Sequence, residues 1–112
     1  MAMHEYSLTQ NIIETAANYA GSAKVRKITL VVGESAGVLG ESIRLYFDVA
    51  AENTTCAGAR IEIESVRPML RCKACGGLFE RRPFAFECAC GGEGEPTEIG
   101  REFYIKCIET EE

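Results

Sequence analysis

The chain has a single histidine, three prolines, more acid than base, and no apolar run near the roughly 18 residues a membrane span needs. Each shortage excludes something. One histidine, with no serine or cysteine set beside a base and no phosphate-cradling loop, leaves no residue set for catalysis, so no enzyme activity is expected. A formal net charge of −5 speaks against a nucleic-acid partner, whose phosphates favour a basic surface. The N-terminus lacks a basic region leading into an apolar core, so neither secretion nor membrane insertion is predicted and a cytoplasmic location is. There is no low-complexity linker. At 112 residues, 46% hydrophobic and 26% charged, the chain reads as one globular domain, or as a small domain with a smaller module attached.

What the chain does have is cysteine, six in all. Four of them form one cluster, Cys72-Lys-Ala-Cys75 and, after twelve intervening residues, Cys88-Ala-Cys90. Each pair runs into a glycine pair, Gly76-Gly77 and Gly91-Gly92. A thiolate turn needs such glycines because the backbone must fold under the metal with its amides aimed at sulfur. Two turns at this separation supply four thiolates to the corners of a tetrahedron, the geometry of a closed structural zinc site. A disulfide framework would need an oxidising compartment, which nothing here predicts. Iron in a rubredoxin-like site would use the same sulfurs for electron transfer, and thiolates do not separate the two metals cleanly. A dithiol redox role needs an exposed pair with a lowered thiol pKa at a helix N-terminus, which the sequence does not predict. The second turn is one residue shorter than the first, so its amide–sulfur geometry must differ, with Cys56 or Cys107 as the substitute if a thiolate falls short. Otherwise Cys56 reads as a small loop residue and Cys107 as a buried small hydrophobe.

Ser7-Leu-Thr-Gln10 has the form of a capping box, with Ser7 as N-cap. Leu8, Ile12, Ile13, Ala16, Tyr19 and Ala20 follow at helical spacing, and Gly21 suits the C-terminal cap. Lys27 to Val32 is a β-branched run that reads as a buried strand. Residues 33–37 form a polar turn, which is the simplest reading of Glu34 and Gly37. Ile43, Tyr46, Phe47 and Ala50, adjoined by Leu45 and Val49, predict a well-buried second helix. Residues 60–66 alternate, Ile61 and Ile63 on one face and Glu62 and Glu64 on the other, and residues 102–109 alternate again. The stretch 69–99 is short, glycine-rich and cysteine-bearing, with only Leu70, Leu78, Phe79, Phe84 and Phe86 as core candidates. So short a segment rarely offsets its ordering entropy without a staple, and structural zinc supplies roughly 10–16 kcal/mol. The expected fold is α+β: a small mixed β-sheet with two helices, interrupted by a zinc-ribbon-like four-cysteine module. The expected organisation is a discontinuous domain, 1–68 plus 100–112, interrupted by an inserted module, 69–99, with the final strand returning to the first sheet.

The chain also resembles a known family. Met3-His4-Glu5-Tyr-Ser-Leu is similar to the N-terminus of the HypA/HybF family of nickel-insertion metallochaperones. In family order there follow Gly33-Glu34-x-x-Gly37-Val38, Thr54-x-x-x-Gly58-Ala59, the cysteine module, Gly100-x-Glu102-Phe and Ile108-Glu109. The resemblance covers essentially the whole chain. It departs at Cys88-Ala-Cys90, where the family has Cys-x-x-Cys, and at Met1-Ala2, which precede the family's usual start. The resemblance implies Zn(II) on Cys72, Cys75, Cys88 and Cys90, and Ni(II) as transferable cargo at a separate N-terminal site. Met3 by its amine, His4 by amide and imidazole, and a group near Glu5 would hold the nickel. It further implies a HypB-type GTPase and a hydrogenase large-subunit precursor as partners, urease maturation proteins in some organisms, and leaves self-association open. The chemistry agrees, since planar nitrogen and oxygen donors suit Ni(II) and thiolate tetrahedra suit zinc. Should the chain instead start at Ala2, Ala2-Met3-His4 would also wrap Ni(II) or Cu(II) in a square plane. The rival readings are a zinc-ribbon adaptor that only binds proteins, indifferent to His4, and a rubredoxin-like iron electron carrier.

Overall fold

The computed structural model describes residues 2–81 and 87–111, and of residues 2–4 the backbone only. Two helices, α1 (Ala2–Ala20) and α2 (Gly40–Ala50), accompany six strands. These are β1 (Val25–Gly33), β2 (Arg60–Val66), β3 (Met69–Cys72), β4 (Leu78–Glu80), β5 (Gly94–Pro96) and β6 (Phe103–Thr110). They form two three-stranded sheets, in the orders β2-β1-β6 and β4-β3-β5, so the last strand does return to the first sheet. The expected α+β class with two helices is what the chain adopts. It divides into two compact units: Met1–Val31, Val38–Glu64 and Tyr104–Glu112 in one, Val32–Gly37 and Ser65–Phe103 in the other. Among the described residues no helix is long and apolar enough to cross a membrane.

In the first unit α1 buries Glu5, Thr9, Ile12, Ile13 and Ala16, residues three and four apart that make one helical stripe. The helix starts well before the expected N-cap, Ser7, which sits inside it. Starting earlier brings Glu5 onto the buried stripe and Tyr6 edge-on to Tyr46 of α2, their ring centroids 5.8 Å apart. These tertiary contacts outweigh a cap worth about 1 kcal/mol. Thr9 bonds within the helix, its Oγ1 donating to Glu5 O at 2.7 Å. Gly21 ends α1 as expected, at φ 65° with its amide donating to Ala17 O.

The second helix differs from expectation on its outer side. Ile43 and Phe47 are buried, but Leu45 is 72% and Val49 64% exposed. Each follows a buried residue by two positions, a rotation of about 200°, which points it away from the core. At the start of α2 the N-cap residue is Leu39, whose own side chain makes no capping hydrogen bond. Val25 N–H donates to Thr55 O and Glu34 N–H to Val66 O, so β2 runs in the direction of β1, as a helical crossover demands. Glu111 N–H donates to Lys24 O and Gly33 N–H to Glu102 O, so β6 runs the opposite way. The wet face of this sheet carries ion pairs from Lys27 to Glu62 (3.5 Å) and Glu109 (3.1 Å), and from Lys106 to Glu64 (3.0 Å). All are at least partly exposed, so solvent screening leaves each a minor contributor to stability.

In the second unit β3 pairs with β4, Leu70 opposite Phe79, and with β5, Cys72 opposite Gly94. Of the expected core residues Leu70 is buried and Phe79 half-buried, whereas Leu78 is exposed. Leu78 alternates with Phe79 on a three-residue strand, and its side of that strand is exposed among the described residues. Phe84 and Phe86 lie outside the described residues. Among the described residues one buried leucine and one half-buried phenylalanine make a thin core, the condition under which a metal staple contributes most.

Candidate metal centre

The strand β3 delivers Cys72, and the chain turns at once through Lys73, Ala74 and Cys75 before returning as β4. Cys72 N–H donates to Gly77 O (2.8 Å) and Gly76 N–H to Cys72 O (2.9 Å), closing the turn. Gly76 has φ 77°, a conformation that a side chain would strain. With the turn so folded, Cys75 N–H points at Cys72 Sγ and Gly77 N–H at Cys75 Sγ, each at 3.4 Å. The second turn closes by Cys88 N–H to Gly92 O (2.9 Å) and Gly91 N–H to Cys88 O (2.8 Å), with Gly91 at φ 91°. Lys73 N–H donates to Glu93 O, and Lys73 Nζ pairs with the Glu93 carboxylate at 2.9 Å, so the two turns are stitched together.

The result is one cluster. The four sulfurs of Cys72, Cys75, Cys88 and Cys90 all lie within 4.8 Å of one another, with Cys72–Cys90 at 3.5 Å and Cys75–Cys88 at 3.9 Å. Sulfurs about 2.3 Å from a tetrahedral zinc stand about 3.8 Å apart. The donor set and its spacing therefore fit zinc. The shortened Cys88-Ala-Cys90 turn delivers both its sulfurs, by tightening through Gly91 and bringing the Gly92 amide to bear on Cys90. Neither substitute enters the cluster; Cys56 holds the loop position expected of it, whereas Cys107 does not take the expected buried one. Cys56 is buried, its thiol donating to Ile13 O at 3.7 Å and its pKa raised by burial, while Cys107 on β6 is exposed. The turn around Cys56 tucks in beside α1, and β6 is a sheet edge; neither is visible in local sequence.

Titration behaviour follows from this crowding. The Cys72 thiol is brought down to about 6, chiefly by the Cys75 amide, against the effect of burial. Cys90 is pushed up to about 12, because the Gly92 amide that favours its thiolate is outweighed by the neighbouring thiols of Cys72, Cys88 and Cys75. Four sulfurs this close cannot all ionise without a cation among them.

At the other end, Met3 and His4 belong to the first turn of α1 by their backbone, and their side chains lie outside the described residues. Glu5 is buried, and its Oε2 accepts the Leu39 N–H at 2.8 Å. A carboxylate thus stands at the start of α2, where the N-cap residue offers no oxygen and the helix dipole favours negative charge. Two signals for this were in the sequence: Glu5 falls on the Thr9-Ile12-Ile13-Ala16 stripe, and Leu39 precedes a helix without being able to cap it.

Residues 3–110 match the family model for HypA, described as hydrogenase/urease nickel incorporation, metallochaperone. A hydrogenase maturation factor HypA of Caldanaerobacter subterraneus subsp. tengcongensis is 42% identical over 114 residues, spanning 97% of this chain and 100% of the relative. One of Nostoc punctiforme is 36% identical, over 98% of this chain and 97% of the relative. The solution structure of a HypA protein superposes with a TM-score of 0.70 at 23% identity, covering 96% of each chain. That of the nickel metallochaperone HypA from Helicobacter pylori gives 0.63 at 22%, over 95% of this chain and 96% of that one. These two show the shared fold.

Proposed function

Because the chain belongs to the HypA family of hydrogenase/urease nickel-incorporation metallochaperones, we propose that it carries Ni(II) on Met3, His4 and Glu5 and surrenders it during nickel–iron hydrogenase maturation. As a member of that family it is a maturation factor and not an enzyme. The observation that carries the proposal is the extent of the family match, which begins at Met3 and so takes in Met3-His4-Glu5 together with all four cysteines. Zn(II) on Cys72, Cys75, Cys88 and Cys90 is the structural partner of this cargo site, residues 69–99 being its module. Residues 1–68 with 100–112 form the nickel-binding domain. A closed thiolate tetrahedron leaves no coordination position for cargo, so nickel belongs elsewhere.

The start of α1 suits a carrier. The first N–H groups of a helix have no intrahelical partner, so the His4 amide is available without breaking the helix ladder. Where Met3 is the first residue, its amine, the His4 amide and the His4 imidazole give Ni(II) three nitrogens in a plane. Glu5 completes the set through its backbone or by the charge of its carboxylate. Transfer partners in this reading are a HypB-type GTPase and a hydrogenase large-subunit precursor, with urease maturation proteins as second clients. Cytoplasmic residence belongs to the same reading, since four reduced thiolates persist there.

The test is a calorimetric Ni(II) titration of zinc-loaded protein beginning at Met3, beside His4→Ala in the same background. One nickel per chain, lost in the variant with zinc retained, is the expected result. Uptake indifferent to His4 would leave a zinc-stabilised adaptor.

A further inference from the structure

The second unit holds a pocket of about 470 Å³ to which none of the four cysteines contributes. Met69 and Leu70 of β3, Pro96 at the end of β5 and Ile99 in the following loop give it an apolar lining. Arg81, just after β4, and Arg101, just before β6, line it too. Its frame is tied in place by backbone and hydroxyl bonds. Met69 N–H donates to Ile99 O (3.4 Å), Thr97 Oγ1 to Met69 O (2.7 Å), and Ile99 N–H to Thr97 Oγ1 (3.2 Å). Both arginines are anchored at the main chain, Arg81 N–H to Pro68 O and Arg101 N–H to Glu98 O. A frame held this way loses little entropy when it is filled.

The lining reads as a recognition chemistry. Four apolar residues accept an aliphatic side chain, and guanidinium groups beside them select a carboxylate, which they grip in a planar fork. Two arginines around one apolar pocket run against the chain's net charge of −5, so attraction of an anion there is local. The carboxylate Arg101 already meets, Glu98 at 3.4 Å, forms an exposed pair, their side chains 56% and 90% accessible, which a better-seated anion would displace. Among the described residues the lining holds no aromatic ring.

We propose that this pocket binds a protein partner through a peptide segment in which an apolar side chain adjoins a carboxylate. The side chain enters between Met69, Leu70, Pro96 and Ile99, and the carboxylate pairs with Arg101 and Arg81. Zinc-loaded, ¹⁵N-labelled full chain, titrated with N-acetyl-leucine and separately with N-acetyl-leucinamide, tests it by amide shifts. The acid is expected to shift Leu70, Thr97 and Ile99 saturably, and to bind about fivefold more tightly than the amide, the scale of an exposed charge pair. Arg101→Gln and Arg81→Gln, each checked for full zinc content, are expected to shrink that preference. Equal binding of the two probes, unsaturable shifts, or shifts centred elsewhere would overturn the proposal. Tighter binding of adenosine monophosphate to the same amides would replace the peptide with a nucleotide.

Discussion

Gly92 is the residue on which the geometry of the metal centre can be tested most sharply. A Cβ added there would stand 2.4 Å from Cys72 Sγ, 2.9 Å from Ala74 Cβ and 3.4 Å from Cys90 Sγ. Carbon and sulfur in contact need well over 3 Å, so Cys72 Sγ would have to move by about 1 Å, several times the ±0.2 Å tolerance of a metal–ligand distance. It cannot swing aside, because Cys72 is 1% exposed and its backbone is fixed between β4 and β5. Gly92→Ala should therefore cost about one thiolate of four. Against the roughly 10–16 kcal/mol of a structural zinc site that is about 3 kcal/mol, or roughly a hundredfold in zinc affinity. Competition with a chromophoric chelator at neutral pH measures it, with Co(II) substitution reporting how many thiolates remain. Gly76→Ala is the control. It has φ 77° but open space where a Cβ would go, so only backbone strain of about 1 kcal/mol is expected. Zinc affinity unchanged in Gly92→Ala would refute the placement of the second turn against Cys72.

Three other outcomes follow from the first unit. In zinc-loaded native protein Cys107 should react with a disulfide reagent at once and Cys56 only on unfolding; two fast equivalents would contradict the burial of Cys56. Glu5→Gln keeps an oxygen for the Leu39 amide but removes charge from the start of α2, so a loss of about 0.3–1 kcal/mol is expected, against about 1–3 kcal/mol for Glu5→Ala. Equal thermal stabilities of the two variants would remove Glu5 from that role. Lys27, with Arg26, holds the Glu109 carboxyl below its ordinary value of 4.5, so the stabilisation is present above that value and is lost as pH falls through the lower folded one. The urea midpoints of wild type and Glu109→Gln should differ at neutral pH and converge as pH falls below the lowered value of the folded state, and a gap independent of pH would rule out that ion pair as its source.

Local sequence rules reached as far as the local forces did. Cys72-x-x-Cys75 and Cys88-x-Cys90 with their trailing glycines announced a tetrahedral thiolate site, because a metal imposes its geometry on whatever turns approach it. The existence of strands β2 and β6 and the Ile12-Ile13-Ala16 stripe were equally legible, since strand and helix periods are properties of the backbone. Tertiary packing decided the rest. It set the start of α1, which Ser7 alone would have placed too late, by burying Glu5 and seating Tyr6 against Tyr46. It chose which flank of α2 faces outward, leaving Leu45 and Val49 in water. It buried the loop thiol of Cys56 and left Cys107 exposed, because a thiol's burial depends on which element comes to lie over it; over Cys56 that element is α1, far away in the chain. Only the folded chain could turn Glu5 into the cap of a helix that begins 35 residues later.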